Sequence, residues 1–272
     1  NPFDLSHDGI LFADKVANNF KRLDLEGLIV IGGDGTQAIG YRLMTDYGIP
    51  VVGVPKTIDN DLEATNFTFG FWSAVDVATE ALDRLHTTAE SHDRVMILEV
   101  MGRTAGWIAL YAGVAGGADC IAIPELPYDA ERFAEKIAAR RARNRHFTII
   151  VCAEGAKPRF GDIRPNERAG ETLARLMAQH TDAEMRVTVL GHLQRGGSPI
   201  PFDRVLSTRY GVKAVQLVEG QRWGELVCLQ NGEMVGRSLE DIAGKTREVD
   251  PDHPLIKTAR AVGTEFGQNP IQ

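Results

Sequence analysis

Two carboxylates, Asp59 and Asp61, stand two residues apart directly after Lys56 and Thr57. The apolar run at residues 50–54 is typical of a short buried strand, so the acids fall in the loop past its carboxyl end, where open α/β sheets bind ligands. If the loop is extended, side chains i and i+2 point the same way and the two acids share a face. A carboxylate beside a cation and a hydroxyl suits proton abstraction next to a phosphate. A polar turn with a solvated pair of acids is the alternative.

A glycine-rich turn precedes this loop in the chain. A predicted strand at 25–31 runs into Gly32, Gly33, Asp34, Gly35 and Thr36. Glycines at a strand-to-helix turn let backbone N–H groups approach phosphate oxygens, and the helix N-terminus adds a favourable field. Asp34 suits Mg²⁺, which takes carboxylate and water oxygens at phosphate sites. A tight turn capped by Thr36 is the alternative, and the motif is not a Walker loop because no Gly-Lys-Ser/Thr follows.

Two further predicted strands, at 94–100 and 147–153, are each followed by residues that could bind a phosphoryl group or a sugar. Met101, Gly102 and Arg103 follow the first of them, where Gly102 permits close backbone approach and Arg103 could brace charge on a phosphoryl group. Glu154 follows the second and could accept hydrogen bonds from sugar hydroxyls. A helix start with a surface arginine and a capped turn are the respective alternatives.

The richest loop is Gly-His-Leu-Gln-Arg-Gly-Gly-Ser-Pro at 191–199, which follows a predicted strand that contains Arg186. Arginine grips phosphate with paired hydrogen bonds, and an imidazole adds another donor. His192, Arg195 and the glycines therefore predict a pocket for a dianion, with a structural role for His192 as the alternative. Together the five loops supply the parts that phosphoryl transfer to a sugar phosphate needs: positioning, charge neutralisation and a base.

The elements that must position these loops alternate between strand and helix. Strands are predicted at 25–31, 51–54, 94–100, 120–123, 147–153, 186–190, 225–229 and 233–235, and no strand is predicted before residue 25. Helices are predicted at 36–47, 72–91, 105–115, 130–142, 167–180 and 202–218, with two more near the end of the chain. This pattern predicts an α/β fold of doubly wound parallel sheets with helices on both faces.

Composition narrows the class of partner. The net charge of −7 argues against nucleic acid, whose phosphate backbone demands a basic surface, but not against small phosphorylated ligands. No apolar segment approaches the length of a membrane span and no basic-then-apolar leader opens the chain, so we expect no membrane partner and a cytoplasmic location. The three cysteines lack metal spacing and are expected to be reduced, buried thiols.

Four of these motifs resemble those of 6-phosphofructokinase, in the same order and over nearly the whole chain. They are Gly-Gly-Asp-Gly-Thr at 32–36, Pro-Lys-Thr-Ile-Asp-Asn-Asp at 55–61, Glu-Val-Met-Gly-Arg at 99–103 and the loop at 191–199. The resemblance implies Mg²⁺-dependent phosphoryl transfer from ATP to the 1-hydroxyl of fructose 6-phosphate in glycolysis.

The resemblance also implies catalytic roles. Asp59 is the base for the 1-hydroxyl, and Thr57 contacts the sugar or the transferred phosphate. Asp34 anchors Mg²⁺, Asp61 supports the metal and the base, and Arg103 stabilises the phosphoryl group in flight.

For the sugar phosphate, the resemblance assigns Met101, Gly102 and Glu154 to the fructose moiety and His192 and Arg195 to the 6-phosphate. Arg94 and Arg186 are expected to reach that phosphate from a neighbouring subunit. The family therefore implies an oligomer, usually a tetramer, with shared sites.

Two Rossmann-like domains are expected, with the active site in the cleft between them. Residues 1–70 with 195–244 would bind the phosphoryl donor and Mg²⁺, and residues 71–194 with 245–272 would bind fructose 6-phosphate. Family members normally open with a strand and a glycine-rich turn that contacts the nucleotide phosphates. That unit is absent from this sequence, so the donor site is expected to be incomplete.

The donor is not decided by one residue. At position 35 the glycine resembles the ATP-using branch of the family, and an Asp there would repel the nucleotide α-phosphate. Lys56 resembles the pyrophosphate-using branch instead, and Ile39 is bulky for a residue near the adenine. ATP is favoured. The alternatives are a pyrophosphate-dependent enzyme and a catalytically silent fragment or regulatory subunit that binds sugar phosphate.

Allosteric control is a family trait, and the region of Arg143 and Arg145 contributes to the allosteric pocket in bacterial members. His86 stands where an arginine is expected. A solvated basic helix end is the favoured interpretation of residues 140–145.

Overall fold

The computed structural model describes residues 1–7 and 10–268. Its helices are α1 (Phe12–Arg22), α2 (Asp34–Tyr47), α3 (Phe71–His92), α4 (Trp107–Ala115), α5 (Ala130–Arg141), α6 (Ala169–Met177), α7 (Pro201–Glu219), α8 (Leu239–Ile242) and α9 (Pro254–Ala261). Its strands are β1 (Ser6–His7), β2 (Ile10–Leu11), β3 (Leu28–Gly32), β4 (Val51–Thr57), β5 (Phe69–Gly70), β6 (Val95–Val100), β7 (Cys120–Ala122), β8 (Thr148–Ala153), β9 (Met185–Val189), β10 (Glu225–Gln230) and β11 (Glu233–Ser238). A 3₁₀ turn spans Gly191–Arg195.

The chain forms two compact units. Unit 1 consists of Asn1–Thr57, Asp61–Gly70 and Pro201–Arg247. Unit 2 consists of Ile58–Asn60, Phe71–Ile200 and the chain from Glu248 onward.

Unit 1 is built on a sheet in the order β11-β10-β4-β3, with β5 beside β4. β3, β4 and β10 run parallel, and β11 is antiparallel to β10. Alternate residues of β4 enter two cores: Val51 packs with Leu43 of α2, and Val52 packs with Leu206 of α7. Because both faces of β4 are covered, its sequence is a continuous apolar run. The register pairs Gly32 with Pro55, so β3 and β4 end side by side.

Unit 2 is built on a fully parallel sheet in the order β7-β8-β6-β9. Every residue of β6 and β8 is buried. The register pairs Val100 with Ala153, so the loops that follow these two strands begin as neighbours.

The predicted α/β fold with parallel sheets is confirmed, and the differences lie mostly at the start of the chain. β1 and β2 form a short antiparallel pair and α1 follows them, so the expectation of no strand before residue 25 was wrong. The buried residues of α1 are the small Ala13 and Ala17, which give only a weak apolar stripe in the sequence. β3 begins at Leu28, three residues later than predicted.

The remaining expectations on composition concern membranes and cysteines. In the part of the chain that the structure describes, no helix is both long enough and apolar enough to cross a membrane. Cys120, Cys152 and Cys228 are buried and form no disulfide, as predicted. Burial raises the pKa of the Cys228 thiol to about 12.

Glu167 and Arg175 fix the segment between β8 and α6. Arg175 donates from Nε to Oε1 of Glu167 and from a terminal nitrogen to Oε2, each at 2.7 Å. The Thr172 hydroxyl donates to Oε2 at 3.0 Å. These donors, Arg175 first among them, lower the pKa of Glu167 to about 2.

We predict that the Glu167–Arg175 pair makes stability depend on acid pH. The pKa of Glu167 in the folded protein lies below its unfolded value of about 4.3. The contribution of the pair to the free energy of unfolding is therefore fully present above about pH 4.3 and is lost as the pH falls towards about 2. Arg175→Met should therefore lower the free energy of unfolding at neutral pH, and its difference from wild type should shrink over this acid range. Urea unfolding at several pH values measures the difference, with Arg84→Met in an exposed helical pair as the control. A difference that does not change with pH would contradict the prediction.

Candidate active site

The glycine-rich turn of unit 1 connects β3 to α2. A Cβ at Gly32 would lie 2.5 Å from the Thr36 side chain, so only glycine fits there. Asp34 and Gly35 are exposed, and a Cβ at Gly35 would meet no atom within 4 Å. The turn thus presents open backbone and a carboxylate at the start of α2.

Gln37 ties this turn to the end of β4. Its buried Nε2 donates to the carbonyl oxygens of Gly32 and Val54, each at 3.0 Å. A Cβ at Gly33 would lie 3.3 Å from Cβ of Thr57. The glycine turn and Thr57, both predicted to contact phosphate, are therefore neighbours within unit 1.

β4 extends three residues beyond its predicted end and includes Lys56 and Thr57. Lys56 is exposed and Thr57 is half-buried. The Thr57 carbonyl accepts a hydrogen bond from the Thr68 hydroxyl at 2.7 Å, which fixes the backbone where the strand ends.

The acid-bearing loop after Thr57 is bent rather than extended. Asn60 has a left-handed φ of 54°, so the expectation that Asp59 and Asp61 share one face of an extended loop is not met. Asp59 is half-buried and belongs to unit 2. Asp61 belongs to unit 1, is 6% exposed, and its carbonyl accepts the Arg247 backbone N–H at 2.7 Å.

In unit 2 the loops after β6 and β8 pack closely against each other. Gly102 has a φ of 135°, and the Gly155 N–H donates to its carbonyl at 3.1 Å. A Cβ at Gly155 would lie 2.0 Å from the Arg103 carbonyl oxygen, so glycine is required for this approach. The side chains of Arg103 and Glu154 are exposed, and Met101 is buried.

The loop after β9 folds into the 3₁₀ turn at Gly191–Arg195. His192 and Arg195 are exposed on this turn, as an anion clamp requires, and Gln194 is buried. The Oε1 atom of Gln194 accepts the Met101 N–H at 2.7 Å. The structure therefore brings the loops after β6, β8 and β9 together at the carboxyl ends of these parallel strands.

Arg94 and Arg186 lie at the other end of the strands, near the amino ends of β6 and β9. Arg94 directly precedes β6 and Arg186 is the second residue of β9, and a six-residue strand spans about 20 Å. Both arginines form ion pairs with Glu184, and the Arg94–Glu184 distance is 3.1 Å. The hydrogen bond from Arg94 lowers the pKa of Glu184 most strongly, and the charges of both arginines lower it further. Within one chain these two arginines are not part of the cluster that contains His192 and Arg195.

Comparison with known proteins identifies the family. A profile described as Phosphofructokinase matches residues 1–218, which is most of the chain. The chain belongs to the phosphofructokinase family.

Similar members of the phosphofructokinase family differ in the donor that their names state. "ATP-dependent 6-phosphofructokinase" of Spirochaeta thermophila is 48% identical over 96% of this chain and 75% of its own length. The protein of the same name from Chloroflexus aurantiacus is 52% identical over 91% of this chain and 70% of its own length. "Pyrophosphate--fructose 6-phosphate 1-phosphotransferase" of Streptomyces coelicolor is 47% identical over 87% of this chain and 72% of its own length.

Among solved structures, the T-state phosphofructokinase of Pichia pastoris has a TM-score of 0.77 and 31% sequence identity. The match covers 85% of this chain and 28% of the Pichia chain.

Of the two predicted ligands for the Mg²⁺ that the resemblance to phosphofructokinase implies, Asp34 fits better. It is an exposed carboxylate beside an open turn, and Mg²⁺ at phosphate sites needs only one or two carboxylates together with phosphate and water oxygens. Asp61 fits less well because it is 6% exposed. Among residues 1–7 and 10–268, no group of three or more His, Cys, Asp or Glu side chains could hold a metal.

A basic cavity of about 540 Å³ lies at the end of α5 in unit 2, lined in part by Lys136, Arg143 and Arg145. Arg140, at the same helix end, forms an ion pair with Asp119, and both side chains are only 13% exposed. The interpretation of residues 140–145 as a solvated helix end is therefore wrong for Arg140, whereas Arg143 and Arg145 are exposed.

Two buried glutamines to which the sequence had assigned no role hold these phosphofructokinase loops in place. Gln37 directly follows the glycine turn, and Gln194 stands between His192 and Arg195. Gln37 uses its amide nitrogen as a donor to two carbonyl groups, and Gln194 uses its amide oxygen as an acceptor for one backbone N–H. An uncharged amide within or directly after a functional motif is the signal that points to them.

Proposed function

We propose that this chain transfers the γ-phosphoryl group of ATP to the 1-hydroxyl of fructose 6-phosphate. The products are fructose 1,6-bisphosphate and ADP. The observation that carries the proposal is the set of four phosphofructokinase motifs, in family order, each at the carboxyl end of a parallel strand. Open parallel sheets bind their ligands at that end.

In this proposal unit 2 binds the sugar phosphate. His192 and Arg195 donate hydrogen bonds to the 6-phosphate, and both are exposed for that task. Glu154 accepts hydrogen bonds from sugar hydroxyls, while Met101 and Gly102 line the fructose moiety.

Unit 1 binds the phosphoryl donor. The backbone of the glycine turn at 32–36 would lie against the donor phosphates, with Lys56 and Thr57 beside them. A Cβ built at Gly33 lies 3.3 Å from Cβ of Thr57, which places Thr57 next to the turn. Asp34, and to a lesser extent Asp61, would hold Mg²⁺, which would supply positive charge against the donor phosphates.

The chemical step is an in-line displacement with Asp59 as the base. The carboxylate of Asp59 takes the proton of the 1-hydroxyl as the sugar O1 bonds to the γ-phosphorus of ATP. The bond from that phosphorus to the β,γ-bridging oxygen breaks, and ADP leaves with its electron pair. Arg103 stabilises the charge on the transferring group.

The donor proposal rests on Gly35, which is exposed with no atom within 4 Å of a Cβ built there. We predict faster initial rates with ATP than with pyrophosphate at saturating fructose 6-phosphate. Gly35→Asp should lower kcat/KM for ATP by about tenfold or more, because a carboxylate repels the nucleotide phosphates. Gly35→Asn is the uncharged control of matched size. Turnover with pyrophosphate alone would contradict the choice of ATP.

Pyrophosphate is the second candidate donor, because Lys56 is exposed at the end of β4 and the Streptomyces relative is named for that donor. A catalytically silent, sugar-phosphate-binding protein is the third possibility. Calorimetry that detects fructose 6-phosphate binding, together with no product from either donor, would favour this third possibility.

The wider proposal includes a cytoplasmic oligomer with shared sites. Arg94 and Arg186 lie about 20 Å along the strands from the other substrate residues of their own chain, so they would serve the 6-phosphate of a second copy. If effectors regulate the enzyme, the cavity lined by Lys136, Arg143 and Arg145 is where an anionic one would bind.

A further inference from the structure

The 3₁₀ turn sends its side chains in two directions. His192 and Arg195 are exposed, whereas Gln194 is 2% exposed. The buried Gln194 reaches the first residue after β6, where its Oε1 accepts the Met101 N–H at 2.7 Å. This single side chain joins the phosphate-clamp turn to the loop that contains Arg103.

The other half of the same amide is not satisfied. Nε2 of Gln194 is shielded from solvent and has no hydrogen-bond acceptor among the residues that the structure describes. Burial of an amide donor without an acceptor is unfavourable. Hydrogen bonding by Nε2 therefore does not explain why a glutamine stands here, whereas the hydrogen bond that Oε1 accepts from the Met101 N–H does.

The contact reaches further through a tightly packed backbone. Gly102 follows Met101 with a φ of 135°, and its carbonyl accepts the Gly155 N–H at 3.1 Å. Gly155 in turn leaves no room for a Cβ against the Arg103 carbonyl. A shift of the turn at Gln194 would thus move the backbone that presents Arg103 and Glu154.

We infer that Gln194 is a positioning residue that couples occupancy of the phosphate clamp to the placement of the Arg103 loop. The inference rests on the proposed function for the identity of the ligand, fructose 6-phosphate. Gln194 touches no reacting atom and acts through the Met101 N–H.

Hydrogen exchange at the Met101 amide tests the contact without any assay of activity. Gln194→Met keeps the side-chain length but removes the acceptor, so exchange at Met101 should accelerate by about tenfold or more. Gln194→Glu keeps an acceptor oxygen at this position and should retain most of the protection. Gln179→Met, at an exposed glutamine of the same unit, is the matched control. Equal protection in wild type and Gln194→Met, or equal loss in Gln194→Glu, would overturn the inference.

Kinetics with fructose 6-phosphate and ATP test the coupling. Gln194→Met should lower kcat by about ten- to a hundredfold, because small misplacements of catalytic groups are costly. KM for ATP should stay within about twofold, because the donor turn lies in unit 1. A purely structural role would lower the melting temperature and leave the kcat of the folded enzyme unchanged, and that result would overturn the inference. If wild type neither binds nor phosphorylates the sugar, the proposed function fails and the exchange result still decides whether Gln194 holds the Met101 loop.

Discussion

Asp59→Asn should lower kcat by about a hundred- to ten-thousandfold, which is the usual contribution of a positioned general base. The amide has nearly the shape of the carboxylate but cannot take the proton of the 1-hydroxyl. Because this proton moves only as the transition state forms, KM for fructose 6-phosphate should change by no more than about threefold. Asp59 is half-buried in the bent loop after β4, so substitution there leaves both sheets intact.

Steady-state rates and sugar-phosphate binding together measure this effect. Calorimetry without ATP should give similar affinities for Asp59→Asn and wild type, and the loss should appear only in turnover. Asp83→Asn, at an exposed position of α3, controls for the loss of one negative charge. A variant with near-normal kcat would show that another group takes the proton.

The carboxyl ends of the strands could be located from the sequence, because a parallel strand that is covered on both faces is a continuous apolar run. This rule applies to β4, β6 and β8. Alternate residues of β3 and β9 are exposed, and those two strands are recognised instead by their aliphatic residues and by the glycines that follow them. The strand pairs Gly32–Pro55 and Val100–Ala153 then bring successive loops side by side. Local pattern and the parallel-sheet rule together account for most of the candidate site.

The direction of individual side chains could not be predicted in the same way. A left-handed φ at Asn60 bends the loop between the two acids, and such a bend depends on contacts from elsewhere in the fold. Within the 3₁₀ turn, neighbouring residues point to different sides, so the burial of Gln194 beside the exposed Arg195 follows from packing and not from the motif.

The position of Arg94 and Arg186 shows a different limit. Their place at the amino ends of β6 and β9 follows from strand direction alone. Their joint contact with Glu184 does not, because it depends on the pairing of two strands far apart in the sequence.

Arg195→Ala should raise KM for fructose 6-phosphate by about ten- to a hundredfold. Arg195 is exposed on the 3₁₀ turn and is proposed to donate hydrogen bonds to the 6-phosphate, and a hydrogen bond to a charged group contributes about 1.5–3 kcal/mol. The 6-phosphate does not react, so this interaction is the same in the ground state and the transition state, and kcat should fall by no more than about threefold. The predicted pattern is the reverse of that for Asp59→Asn.

The comparison of substrates separates the clamp from a general loss of structure. Arg195→Ala should lose little of any activity towards fructose, which lacks the 6-phosphate, whereas wild type should prefer fructose 6-phosphate strongly. Arg84→Ala, which removes an exposed arginine of α3, controls for the change in net charge. An unchanged KM for fructose 6-phosphate in Arg195→Ala would show that the 6-phosphate binds elsewhere. Gln194 could then not link binding of this phosphate to the position of the Arg103 loop. If Arg195→Ala raises KM while the Met101 amide stays protected, the two residues of the 3₁₀ turn have separate roles. Arg195 then binds the anion, and Gln194 holds the loop after β6 through the Met101 N–H.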